Sequence, residues 1–161
     1  MIHWSRFDEV SDAIPSSLQP WLTHAESMTV RMKSFSTVYD IHVLDESWKT
    51  PRGDVQQALL LSPVDAVWFR KVEIHCDKKP VMLAESYFSK KFVESFNEPL
   101  KTLGEKPLGE LIFSHPDLKR SEFEYGFDVH WARQSILRLE NKPFLLREFF
   151  IRSDIYGHDY S

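Results

Sequence analysis

The run Trp68-Phe69-Arg70-Lys71-Val72-Glu73-Ile74, then a tip at Asp77-Lys78 and a return through Val81 to Phe88, reads as a β-hairpin. It decides the fold because the chain repeats it. Trp131-x-Arg133, Lys142-Pro143 and Glu148 lie sixty-three residues beyond Trp68-x-Arg70, Lys79-Pro80 and Glu85, around a second tip at Glu140-Asn141. The second hairpin runs from His130 to Ile151. Five matched identities suggest an ancestral duplication without establishing one, since hairpins share turn and strand chemistry.

Outward from the hairpins, Tyr39-Asp40-Ile41-His42-Val43 alternates as a strand. Met28, Val30 and Met32 alternate with Thr29, Arg31 and Lys33, which predicts a strand paired with it. Phe123, Tyr125 and Phe127 predict another. Ser16-Ser17 precede Leu18, Trp21, Leu22 and Ala25 at helical spacing, with Pro20 in the first turn. Ser89 caps a segment carrying Phe92, Val93, Phe96 and Leu100, and Leu103–Glu110 reads as a loop entering a short helix, with Pro107 near its first turn. Residues 45–64 read as a long connection. With strands dominant and no Gly/Ser linker, residues 1–161 are expected to form one α+β domain on an antiparallel sheet.

Composition narrows the function. A chain of 161 residues is one ordinary domain. Twelve Phe, five Trp and five Tyr are a heavy aromatic load, while 20 basic against 24 acidic residues give −4. That balance argues against a nucleic-acid binder. The one cysteine, Cys76, excludes an internal disulfide and a Cys-rich zinc site. The His residues lack metal-ligand spacing, so no metal is expected. No apolar run exceeds four residues and the first nine lack a signal-peptide pattern, so no membrane partner is expected and the compartment is expected to be cytoplasmic.

Hairpin arithmetic points charges towards the core. On a regular ladder Arg70 faces Glu85, and Arg133 faces Glu148, because each lies seven residues from its tip. Arg70 shares a face with Trp68, Val72 and Ile74; Glu148 shares one with Phe144, Leu146 and Phe150. These are either structural ion pairs or an anion pocket with an inward acid or base, and spacing alone does not separate the two.

Four blocks resemble the chorismate lyase family: Trp21-Leu22 through Ser27-Met28-Thr29-Val30-Arg31; Trp68-Phe69-Arg70 through Pro80; Leu103-Gly104-Glu105-Lys106-Pro107-Leu108-Gly109 through Phe113; and Trp131-Ala132-Arg133 through Lys142-Pro143-Phe144-Leu145-Leu146-Arg147-Glu148. The resemblance implies a six-stranded antiparallel sheet over a small buried pocket. It implies that Arg70 grips the ring carboxylate of chorismate, that Glu148 lies near the ring oxygen as acid or base, and that Met28 and Leu108 line the ligand through their backbones. The implied reaction releases pyruvate and leaves 4-hydroxybenzoate for ubiquinone, without metal or organic cofactor; the chain is expected to be a monomer.

One departure stands out. Position 85, commonly arginine in that family, is Glu85 here; opposite Arg70 it would sit in the substrate site and offset the charge that attracts a dianion. The turn glycines usual in the family are replaced by Lys78 and Asn141. The alternative reading is a non-catalytic domain that binds a small aromatic acid, similar to the UTRA sensors of transcription regulators, or a lyase that has lost turnover.

Overall fold

Asp77 and Lys78 take φ of 50° and 69°, and Glu140 and Asn141 take 50° and 63°. This is the left-handed backbone that a two-residue type I′ turn requires, reached here without glycine. Asp77 also fixes the entry of the strand that begins at Tyr39, since its Oδ1 accepts from the Thr37 and Val38 amides at 2.8 and 2.9 Å. The chain is described by a computed structural model covering residues 2–161. Its strands are β1 (Tyr39–Lys49), β2 (Val67–Cys76), β3 (Lys79–Phe88), β4 (Lys119–Arg120), β5 (Glu124–Phe127), β6 (Trp131–Leu139) and β7 (Lys142–Phe150). They form one antiparallel sheet in the order β1-β2-β3-β7-β6, with β4 and β5 both pairing with β6. The helices are α1 (Phe7–Val10), α2 (Gln19–Leu22), α3 (Met28–Ser34), α4 (Gly53–Leu59), α5 (Lys90–Lys101) and α6 (Leu108–Ile112).

Two predicted elements are corrected. Met28–Ser34 is a helix, not a strand: Ser27 Oγ caps it by accepting from the Val30 amide, and Met28 and Met32, four apart, are buried while Val30 is 68% exposed. An N-cap with apolar residues at i and i+4 outweighs the alternation. Consequently, among the described residues, β1 pairs only with β2. Within residues 45–64, β1 runs on to Lys49 and α4 follows, so the expected connection is mostly structured. Helix α2 has Pro20 in its first turn as expected, but its N-cap position is Leu18 and no serine caps it.

The first hairpin carries a bulge. Ile74 pairs with Met82 and His75 with Pro80, so Val81 is an extra residue. Its carbonyl accepts from the Tyr156 hydroxyl at 2.6 Å and from the Ile151 amide at 2.9 Å. One inserted residue turns every later side chain of β3 to the other face. Arg70 therefore pairs with Ser86, and Glu85 pairs with Lys71 and Arg147. The second hairpin is regular, and Arg133 faces Glu148 as counted.

One sheet face carries the main core in two parts. Trp21, Met32, Val72, Met82, Phe150 and Tyr156 pack at one end; at the other, Phe92 and Phe96 of α5 pack with Phe88, Leu137 and Phe144 of the sheet, beside α6. The opposite face is covered by α4 through Val55 and Leu59 against Val67 and Leu145. The C-terminal turn is tied to the sheet by Tyr160, whose hydroxyl accepts from the Trp131 amide at 2.8 Å and donates to the Phe150 carbonyl at 2.7 Å. Tyr160→Phe leaves a buried amide without a partner. It is expected to lower stability by about 1–3 kcal/mol, read as an earlier urea midpoint at unchanged slope.

Candidate active site

Between the two halves of the core lies a cavity of about 70 Å³, room for roughly five water positions. Its floor is the main-core face of β2, β3, β6 and β7. Its cover is the start of α3 and the start of α6, and β4 contributes Arg120 to its side. Arg70, Met28, Leu108 and Glu148 all line it; Glu85 does not. Because of the Val81 bulge Glu85 points to the opposite sheet face, where it meets the Tyr87 hydroxyl at 3.2 Å and Lys71 Nζ at 3.8 Å. The expected Arg70–Glu85 pair does not form.

Arg70 is 2% exposed and must find partners inside the protein. Its Nη2 donates to the carbonyls of Gly104 at 2.8 Å and Lys106 at 3.3 Å. Gly104 has φ of +52°, a left-handed turn that aims its carbonyl inward. The cross-strand partner of Arg70 is Glu46 of β1, set opposite it by a second register shift between Val43 and Asp45. Glu46 Oε2 lies 3.4 Å from Arg70 Nη1, yet the angle makes no hydrogen bond, and Nη1 is a buried donor without an acceptor. Burial pulls the Arg70 pKa down while Glu46 raises it. A planar guanidinium with a spare donor in a cavity suits a ligand carboxylate.

Glu148 is the other pole. Its Oε1 accepts from Arg133 Nε at 2.8 Å and lies 3.6 Å from Arg120 Nη2, whereas no protein group donates to Oε2 among the described residues. Arg133 is fully buried; its Nη1 donates to the carbonyls of Leu22 at 3.0 Å and His24 at 2.6 Å. Arg120 donates from Nε to Ser135 Oγ at 2.9 Å and from Nη1 to the Ala25 carbonyl at 3.4 Å. Both guanidiniums lie against the Phe123 ring, at 4.4 and 4.1 Å from its centre. Burial brings the Arg120 pKa down to about 10, against the pull of Glu148.

Met28 and Leu108 are the first residues of α3 and α6, where backbone N–H groups have no intrahelical acceptor. Tyr39 completes the polar lining, with its hydroxyl 3.4 Å from Thr29 Oγ1 and its pKa pushed up to about 12 by burial, so it stays a neutral phenol. Sequence reasoning missed Arg120, Tyr39 and Glu46. Lys119-Arg120 is a two-residue strand with no periodicity to read, and Glu46 lies in the stretch that reads as a connection. Among the described residues no group of three or more His, Cys, Asp or Glu is placed to hold a metal ion, and no helix is long and apolar enough to cross a membrane.

The family model for chorismate lyase matches residues 1–160. The chain belongs to the chorismate lyase family. The chorismate pyruvate-lyase of Erwinia tasmaniensis is 33% identical over 158 residues, covering 97% of this chain and 90% of that protein. That of Hamiltonella defensa is 31% identical over 98% of this chain and 90% of its own length. A probable chorismate pyruvate-lyase of Bartonella henselae is 33% identical over 86% of this chain and 81% of its own. Among solved structures, the effector domain of PhnF from Mycobacterium smegmatis superposes with a TM-score of 0.58 at 11% identity, covering 78% of this chain and 88% of that one. The C-terminal domain of the histidine utilization repressor from Pseudomonas syringae pv. tomato gives 0.54 at 11%, covering 70% and 91%. At that identity the likeness is one of fold, shared between this family and regulator effector domains.

In this chorismate lyase family member the carboxylate that moderates Arg70 is Glu46 rather than Glu85. Glu85→Gln is therefore expected to leave 4-hydroxybenzoate affinity within about twofold of the wild type, well under one hydrogen bond's worth. Glu46→Gln, which removes the competing charge, is expected to tighten it. Calorimetric titration of both variants checks the pair, and a large change in Glu85→Gln alone would contradict the register.

Proposed function

We propose that this chain is a chorismate pyruvate-lyase that converts chorismate into 4-hydroxybenzoate and pyruvate, supplying the ring of ubiquinone from the cytoplasm as a monomer. The observation that carries the reading is the gathering of Arg70, with its spare donor, and Glu148, with its spare oxygen, in one cavity of a chain that the family model matches over residues 1–160. Arg70 takes the ring carboxylate. The starts of α3 and α6 bring the Met28 and Leu108 amides to the ligand, and the apolar walls of Ile41, Val72, Ile74, Met82 and Leu146 hold the ring and exclude water.

In the reaction the bond from ring C3 to the enolpyruvyl oxygen breaks and the C4 proton leaves, so the ring becomes aromatic. The departing enolate takes up that proton on its oxygen, and the enol ketonises to pyruvate. C3 and C4 are neighbours, so one carboxylate oxygen reaches both. Glu148 Oε2 accepts the C4 proton and returns it to the departing oxygen, while Arg133 and Arg120 hold Oε1 and fix the orientation. The groups that bind, orient and move the proton are side chains of this chain, and we propose that no metal or organic cofactor takes part.

The second reading, ligand binding without catalysis, draws on the fold shared with effector domains. Incubation with chorismate separates the two: release of pyruvate together with 4-hydroxybenzoate supports the lyase, and binding of 4-hydroxybenzoate without pyruvate supports a sensor. Turnover is expected to persist in excess EDTA. Glu148→Gln keeps an acceptor for Arg133 but loses the basic oxygen that takes up and returns the proton, and its turnover is expected to fall by about 10²–10⁴-fold with the fold intact. Near-normal turnover in that variant would reduce Glu148 to a pocket wall.

A further inference from the structure

The cavity is lined by three guanidiniums, Arg70, Arg120 and Arg133, and by one carboxylate, Glu148. Glu46 offsets Arg70 from outside the lining, which leaves Arg120 and Arg133 sharing the single charge of Glu148. The two are not equivalent. Arg133 has no exposure and its Nε and Nη1 are committed to Glu148 and to two backbone carbonyls. Arg120 keeps 13% exposure, and its Nη2 finds Glu148 Oε1 only at 3.6 Å, beyond hydrogen-bond range. Each keeps Nη2 without a hydrogen-bond partner among the described residues, but Arg133 is wholly enclosed, whereas Arg120 is partly open and stands on the strand farther from Arg70.

Its placement fits a second anionic group. Arg70 stands on β2 and Arg120 on β4, four strand spacings apart in the order β2-β3-β7-β6-β4. That is roughly 19 Å between backbones, which two long side chains reaching in from opposite sides reduce to about the width of a ring and its substituents. Both line the same cavity, with Glu148 between them on β7. Chorismate has this form: a carboxylate on the ring and another on the enolpyruvyl arm, with the bond to be broken in between. Position 85 cannot supply the second charge, because the Val81 bulge turns it to the opposite face.

We propose that Arg120 binds the carboxylate of the enolpyruvyl arm, so that Arg70 and Arg120 hold the dianion at its two ends and Glu148 works between them. The assignment rests on the lyase reading. It makes Arg120 a substrate-binding residue that the product does not need, since 4-hydroxybenzoate carries only the ring carboxylate. The depressed pKa of Arg120, caused first by burial, agrees with a cation that gains from an incoming anion.

The test compares Arg120→Gln, Arg120→Lys and Arg70→Gln with the wild type, measuring kcat and KM for chorismate and inhibition by 4-hydroxybenzoate. Arg120→Gln is expected to raise KM by about tenfold or more, the size of a lost charged hydrogen bond, while product inhibition stays within about twofold. Arg120→Lys keeps the charge without the planar fork and is expected to fall between. Arg70→Gln weakens substrate and product alike. A loss in Arg120→Gln confined to kcat, or an equal loss of product binding, overturns the assignment and makes Arg120 a support for Glu148 or for the cavity cover. Unchanged constants overturn it too. A wild type that releases no pyruvate overturns the lyase reading itself, whereas turnover with an unmoved KM in Arg120→Gln overturns the assignment alone.

Discussion

A guanidinium with no access to solvent has to be satisfied where it stands, and Arg133 is such a group. Isolated, it would cost several kcal/mol; it is tolerated because Glu148 takes Nε and the carbonyls of Leu22 and His24 take Nη1, which leaves Nη2 alone without an acceptor among the described residues. Those three bonds join parts of the molecule far apart in sequence. They fix the carboxylate on β7, and they tether the segment between α2 and α3 over the sheet, which places Met28 at the cavity. Arg70 does the same at the other side, holding the Gly104–Lys106 loop so that Leu108 arrives opposite. The charges that face the ligand are thus also the anchors of its enclosure.

Much of this was legible in residue order. Alternation and the tips at Asp77-Lys78 and Glu140-Asn141 located both hairpins, and counting from Glu140-Asn141 paired Arg133 with Glu148 correctly. The Ser89 cap and the Pro107 helix start also stand where expected. What escaped was register. The Val81 bulge sits in Val81-Met82-Leu83-Ala84, an apolar run in which one extra residue leaves no mark on the pattern, yet it decides whether Arg70 meets Glu85 or Ser86. Its cause lies elsewhere in the chain, in Tyr156 and Ile151, which bond the Val81 carbonyl.

Other misses have local causes. Residues 28–32 satisfy a period of two and a spacing of four at once, and the cap at Ser27 decides between them. Arg120 belongs to a strand too short for any period, and its place in the site comes from pairing with β6. The polar residues of the opposite face are also ordered by register: Asp45, Lys71, Glu85, Arg147, Gln134 and Glu124 stand side by side from β1 to β5. Glu85, which looked like a flaw in the site, is one link in that row.

Gly109, near the start of α6, faces α3. A Cβ built there would lie 3.3 Å from Thr29 Oγ1 and 3.5 Å from Ser27 Oγ. The two pieces of the cover thus meet along a seam whose α6 side presents a hydrogen atom where other residues present a side chain. Such a seam has nothing at that point to unthread when it parts, in contrast to the interlocked aromatic rings beneath α5. A methyl group at 109 would work as a doorstop, setting by its own radius how nearly the two edges can shut.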